Sequence, residues 1–153
     1  MDEDLIINPD WTERRQNRCA AFRFIFQWEM NPTDHAMQDL EDFLARLDKK
    51  EGFFSYAIEL IDGILGNKET LDAMITDLVT NWDFTRVAKA DLAILRLALY
   101  EINYRLDIPP VVALDEALEL GREFSSDNSV GFLNGVLDKA LESANRPTRK
   151  PSV

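Results

Sequence analysis

The chain has 153 residues, 46% hydrophobic and 29% charged, with a formal charge of -11 and one cysteine, Cys19. That length suits a single compact domain with a real core, and the apolar fraction is too high for a disordered chain. No apolar run approaches the roughly 18 residues of a membrane span, the acidic start MDEDLIINPD lacks the basic head and apolar stretch of a secretion signal, and a lone cysteine excludes an internal disulfide, so the cytoplasm is the expected compartment.

The charge is unevenly placed. Residues 1–13 hold five acids and no base, whereas residues 14–23 hold four bases, Arg14, Arg15, Arg18 and Arg23, and no acid. Net charge therefore argues against general affinity for nucleic acid, while one local cluster allows it.

Residues 1–11 read as an acidic extension, expected to be disordered. A first helix is predicted over 12–30 and is closed by NPTD. The second covers 34–49, with Met37, Leu40, Phe43, Leu44 and Leu47 at helical spacing. The third, 52–65, carries Phe53, Phe54, Ala57, Ile58, Ile61 and Leu65 as its stripe and stops at Gly66-Asn67. The fourth, 68–80, has Leu71, Met74, Ile75, Leu78 and Val79, and NWDFTRV at 81–87 reads as a turn followed by a short helical piece. The helix over 89–105 is apolar all round from Leu92 to Tyr100 except for Arg96, which places it mid-fold. DIPP at 107–110 breaks the chain, and Pro110 opens a helix over 110–124. SSDNS supplies cap residues for a last helix over 127–143. The tail at 144–153 is basic, proline-rich and expected to be disordered. No strand signature or repeat is present, so the class is all-α with about seven helices.

The arginines of the first helix prolong its apolar stripe. With Arg14 at the origin and 100° per residue, Arg18 falls at about 40° and Arg15 at about 100°, beside Ile25 at about 20° and Phe22 at about 80°. A guanidinium cluster cannot replace core without anionic partners, so these turns are expected to project past the packed body or line a groove at its edge. Two explanations stand side by side: pairing with the protein's own acids, Glu13, Asp10 or those of residues 2–4, and recruitment of an external polyanion. Arginine suits the second because its planar fork grips phosphate and stacks on bases. RNA is the favoured polyanion, since its unpaired bases can stack on exposed aromatics.

In the last helix Phe132 lies about 100° from the centre of the apolar stripe, with Asn128 four residues earlier on the same side. A base could stack on Phe132 while Asn128 bonds its edge, near free backbone N–H groups that favour anions. Alternatively, Phe132 caps the edge of the core.

The chemistry of catalysis is missing. His35 is the only histidine and has no second His or Cys nearby, so no metal site is expected. No nucleophile signature or phosphate-cradling glycine loop is present, and Cys19 sits among apolar neighbours as a core residue. Neither a cofactor nor an enzymatic activity is expected.

Three stretches, AILRLALYEI at 93–102, DIPPVVALDEALEL at 107–120 and DNSVGFLNGVLDKAL at 127–141, resemble the NusB family of transcription antitermination factors. RRQNRCAAFRFIFQWEMN, from Arg14, is similar to that family's arginine-rich opening. The resemblance spans about residues 12–143 and implies a helical domain of two packed bundles. It further implies binding of the boxA element of ribosomal RNA leader transcripts together with the ribosomal protein NusE. That complex would act on the RNA polymerase elongation complex with other Nus factors, promoting read-through. Carried over by position, the RNA-binding residues are Arg14, Arg15, Arg18, Phe26, Asn128, Ser129 and Phe132. The sequence departs from the family pattern at Gln16, where another base is common, and at Gly131, where a lysine often precedes the aromatic. A scaffold or oligomer of the same fold with weak or lost RNA binding is the competing expectation, and a homodimer is compatible with the sequence. A detached relative of the NusB-like domain that precedes some RNA cytosine methyltransferases is a third, disfavoured because no S-adenosylmethionine domain fits in the chain.

Overall fold

The computed structural model describes residues 7–79 and 84–153. Seven α-helices and one short 3-10 turn make up its regular structure, and no described residue lies in a strand. In chain order they are α1 (Glu13–Met30), α2 (Ala36–Ala45), α3 (Ser55–Gly66), α4 (Lys68–Leu78), the 3-10 turn Phe84–Arg86, α5 (Lys89–Tyr104), α6 (Pro110–Phe124) and α7 (Asp127–Ser143). The turn expected at 81–87 lies partly outside the described residues. Among the described residues no helix is long and apolar enough to cross a membrane.

The chain divides into two compact units, Met1–Gly63 and Ile64–Val153. In the first, α1 packs on α2, with Phe22, Phe24, Ile25, Leu40 and Phe43 buried. Phe24 and Phe43 meet at 5.7 Å between ring centroids. Thr12 caps α1, its hydroxyl accepting the Arg15 N–H at 3.2 Å. α2 is shorter than its apolar spacing predicts. Its last turns tighten, with Arg46 N–H on Phe43 O and Leu47 N–H on Leu44 O, and Asp48 then takes a left-handed φ of 52°. Leu47 stays buried although it is no longer helical. A turn through Gly52, at φ 81°, leads into α3.

α3 is rotated from its predicted stripe. Tyr56, Ala57, Leu60 and Ile61 are buried, whereas Ile58 is 40% exposed. The reason lies in the α1–α3 tie described below, which fixes the helix by its backbone.

In the second unit α5, α6 and α7 pack on one another, with α4 against α5 and α7. α5 is almost wholly buried, with Asp91, Arg96 and Glu101 as its buried charged residues; Arg96 is paired with α4. The guanidinium grips Asp72 of α4 with both ends of its fork, Nε to Oδ1 at 2.7 Å and Nη2 to Oδ2 at 3.2 Å. A buried arginine paired in this way is stable where an unpaired one would not be. α6 and α7 approach closely at Gly121, where a Cβ would stand 2.8 Å from Leu133 Cδ1.

The tail, expected from its composition to be disordered, lies along the end of α5. Arg146 donates to the carbonyls of Ile102 and Ile108 at 2.8 Å and of Leu106 at 3.1 Å, closing the C-terminal end of α5. Thr148 O accepts the Val111 N–H at 2.8 Å, and Ser152 donates its N–H to Leu106 O at 2.7 Å. A cation at a helix C-terminus satisfies carbonyls that have no partner within the helix. That recruitment outweighs the proline-rich composition. Of the N-terminal extension, residues 1–6 lie outside the described residues, while Ile7 is buried and Trp11 half-buried.

Candidate functional site

Four of the expected site residues belong to the first unit. Arg14 is exposed, Arg15 half-buried, and Arg18 only 4% exposed. These turns are expected to project past the body or line a groove at its edge; Arg18 does neither, and its place about 40° from Arg14, within the apolar stripe, turns it inward. Arg14 and Arg18 share an aromatic partner. The Arg14 guanidinium carbon lies 3.8 Å from the centroid of the Tyr56 ring, and that of Arg18 lies 5.8 Å away. This is cation–π geometry, and it ties the Arg14 side chain to α3. Phe26, two turns further on, is half-buried and stacks on Phe22 at 6.1 Å.

What sets Tyr56 in place is Asn17, a residue to which sequence reasoning assigned no role. Its Nδ2 donates to Glu13 O at 2.9 Å and to Phe53 O at 3.0 Å, and its Oδ1 accepts the Ala57 N–H at 2.9 Å. Ala57 lies in the first turn of α3, whose N–H groups have no intrahelical acceptor. One buried amide thus caps α3 from α1 and sets the register of the two helices. The signal in the sequence was a polar residue within an apolar stripe. Neighbouring Gln16 is also buried and donates Nε2 to Trp11 O at 2.8 Å. A lysine or arginine at that position would bury an unpaired charge.

The other three expected residues belong to the second unit. Asn128 is exposed at the start of α7, and Phe132 is half-buried one turn later. Ser129 is 7% exposed and faces inward. Its hydroxyl donates to Asp91 Oδ2 at 2.8 Å, while the Ser125 hydroxyl donates to Asp91 Oδ1 at 2.7 Å. The Ser126 hydroxyl lies 3.1 Å from Ser129 Oγ, so the expected side-chain cap of α7 is replaced by this network. Asp91, itself 5% exposed, sits in the first turn of α5, where the helix dipole favours a carboxylate. It locks the start of α7 to the start of α5 and so presents Asn128 and Phe132. Ser129 acts through this lock from an interior position.

Among the described residues no three acidic, histidine or cysteine side chains gather as metal ligands. His35 is exposed and pairs with Asp39, Nδ1 to Oδ1 at 3.0 Å. Cys19 is buried. The first unit offers an exposed cation, Arg14, and a half-buried ring, Phe26; the second by itself offers an exposed amide, Asn128, and a half-buried ring, Phe132; each set is of a kind that suits a polyanion with unpaired bases.

Comparison with known proteins gives this arrangement a family. The model of the NusB family matches residues 15–142. The transcription antitermination protein NusB of Oleidesulfovibrio alaskensis is 39% identical over 139 residues, covering 86% of this chain and 90% of that protein. The NusB structure from T. maritima is 32% identical, with a TM-score of 0.80 over 88% of this chain and 94% of that one. A chain from a crystal structure of NusB and NusE with double-stranded RNA has a TM-score of 0.76 at 19% identity, a likeness of fold. By sequence along nearly its whole length, the chain belongs to the NusB family.

Proposed function

We propose that this protein is a transcription antitermination factor that binds the boxA element of ribosomal RNA leaders together with NusE. In the cytoplasm the pair would join the RNA polymerase elongation complex with other Nus factors and promote read-through. It works by binding, with neither cofactor nor catalysis. The observation that carries this reading is the head of α1 in a chain of this family: Arg14 stands exposed, braced on Tyr56 at 3.8 Å.

In this reading Arg14 and Arg15 meet RNA phosphates, and Arg18 supports them from within. Phe26 and Phe132 offer ring faces to unpaired bases, and Asn128 bonds a base edge. Ser129 holds Asn128 and Phe132 in place through Asp91. The competing scaffold reading draws on the charge of -11 and the burial of Arg18.

A gel shift with boxA-like RNA, with and without NusE, separates the two. We expect a shifted band that is strengthened by NusE and weakened in the Arg14→Ala/Arg15→Ala variant. The salt slope should fall by about 0.7 for each single-strand phosphate that the variant no longer neutralises. Capture of NusE with no RNA shift at any salt would establish the scaffold reading instead.

A further inference from the structure

We propose that the tail, drawn across the α5–α6 turn as a strap, is a second docking surface for the phosphates of single-stranded RNA flanking the main binding site. This rests on the reading that the chain binds RNA. The strap is fixed at two points, Thr148 O to Val111 N at 2.8 Å and Ser152 N to Leu106 O at 2.7 Å. Arg146 fastens it further, donating Nε to Ser152 Oγ at 2.9 Å and its other nitrogens to the carbonyls closing α5.

Arg149 and Lys150 lie between the two anchors, flanked by Pro147 and Pro151. Both are exposed and form no ion pair with a described residue. Residues 144–153 contain no acid at all, in a chain that carries 28. The acid on the adjoining turn, Asp107, is already neutralised by the two-pronged grip of Arg105, at 3.0 Å on each oxygen. At the same end of α5, Tyr104 is 39% exposed and stacks on Tyr100 at 5.3 Å. Two exposed cations on one pinned segment suit a nucleotide backbone, and the Tyr104 ring at the same end of α5 offers a surface to a base. An acidic protein segment would satisfy the cations and leave the ring unexplained. Because the strap is already ordered, binding there freezes little additional chain.

The test uses the full chain with NusE and labelled single-stranded RNAs. One RNA carries a boxA-like core alone, and the other extends it by roughly ten nucleotides at each end, within the span of one single-strand binding site. Arg149→Ala/Lys150→Ala should weaken binding of the extended RNA roughly three- to tenfold at low salt and lower its salt slope by about 1.4, two phosphates' worth. Binding of the core RNA should not change. Tyr104→Ala should weaken the extended RNA without altering the slope. Equal affinity and slope for variant and unmodified chain, with the unmodified chain binding well, overturns the inference and leaves the proposed function standing. Unchanged RNA binding with weakened capture of NusE also overturns it, making the strap a protein-binding surface. An unmodified chain that binds neither RNA sinks the proposed function and this inference with it.

Discussion

Asn17 shows how much of the proposed RNA-binding surface would depend on one buried residue. A primary amide can both donate and accept, and Asn17, 1% exposed, bridges three backbone groups of α1, the α2–α3 turn and α3. Removing it strands the first-turn N–H of Ala57 in the interior, a loss of about 2–3 kcal/mol. Asn17→Ala should therefore lower the urea midpoint and, by freeing Tyr56, loosen the brace under Arg14. Asn17→Asp keeps the acceptor but removes both donations and buries a charge, so it should destabilise more than alanine does. A midpoint for Asn17→Ala within error of the unmodified chain would refute the tie. The same logic governs Asp91, which two serine hydroxyls hold in the interior. The partners of neither residue can be read from a single sequence, because they are a backbone group 40 positions away in one case and serines 34 and 38 positions away in the other. Exposed Arg14 and Asn128 were legible because charge clustering and position on a helix suffice to find them. The inward turn of Arg18 and Ser129 depends on packing that periodicity cannot supply.

Helices were the most legible features, since their apolar spacing, prolines and caps are local. The seven predicted helices form in the predicted order, and α6 begins at Pro110 as its fixed φ suggests. Local pattern says least where a distant group decides, as at α3, turned about its axis where Asn17 ties it, and at the tail, whose Arg146 meets carbonyls at the end of α5. α7 offers a contrast in sign on a pair of packed helices. Gly131 and Gly135 are exposed, with nothing within 4 Å of the place an added methyl would take, so alanine at either should stabilise by about 0.5–1 kcal/mol through helix propensity. Gly121 lies on α6 against the same helix, where the added methyl would meet Leu133, which is fully buried. Gly121→Ala should therefore destabilise despite the same gain in propensity, because the core must shift to admit it. Thermal unfolding of the three single variants checks this. A higher melting temperature for Gly121→Ala would mean that α6 and α7 have room to part at little cost.

For the whole molecule the tension is between an acidic field and a few outward cations. In the proposed complex an RNA would meet at a distance a body of formal charge -11, and only at short range the exposed cations Arg14, Arg149 and Lys150 and the half-buried Arg15. Long-range fields govern encounter, while local pairs govern residence. A basic RNA-binding domain gains speed of association at low salt through steering, and this chain lacks the overall charge to do so. Lowering salt strengthens the repulsion by the body and the attraction by the arginines together, and over a Debye length of about 10 Å at 0.1 M the two oppose each other in the association rate. In the proposed complex the guanidinium–phosphate pairs would act alone once RNA is bound, and their weakening with added salt would appear in dissociation. We therefore expect the association rate constant for boxA-like RNA, with NusE present, to change less than about threefold between roughly 50 and 300 mM potassium chloride. The dissociation rate should rise steeply over the same range and account for most of the salt dependence of affinity. Stopped-flow measurement of both constants decides the matter. An association rate that falls tenfold or more across that range would show that the local cations dominate the field even at a distance, and that the acidic bulk of the protein is screened from the approaching RNA.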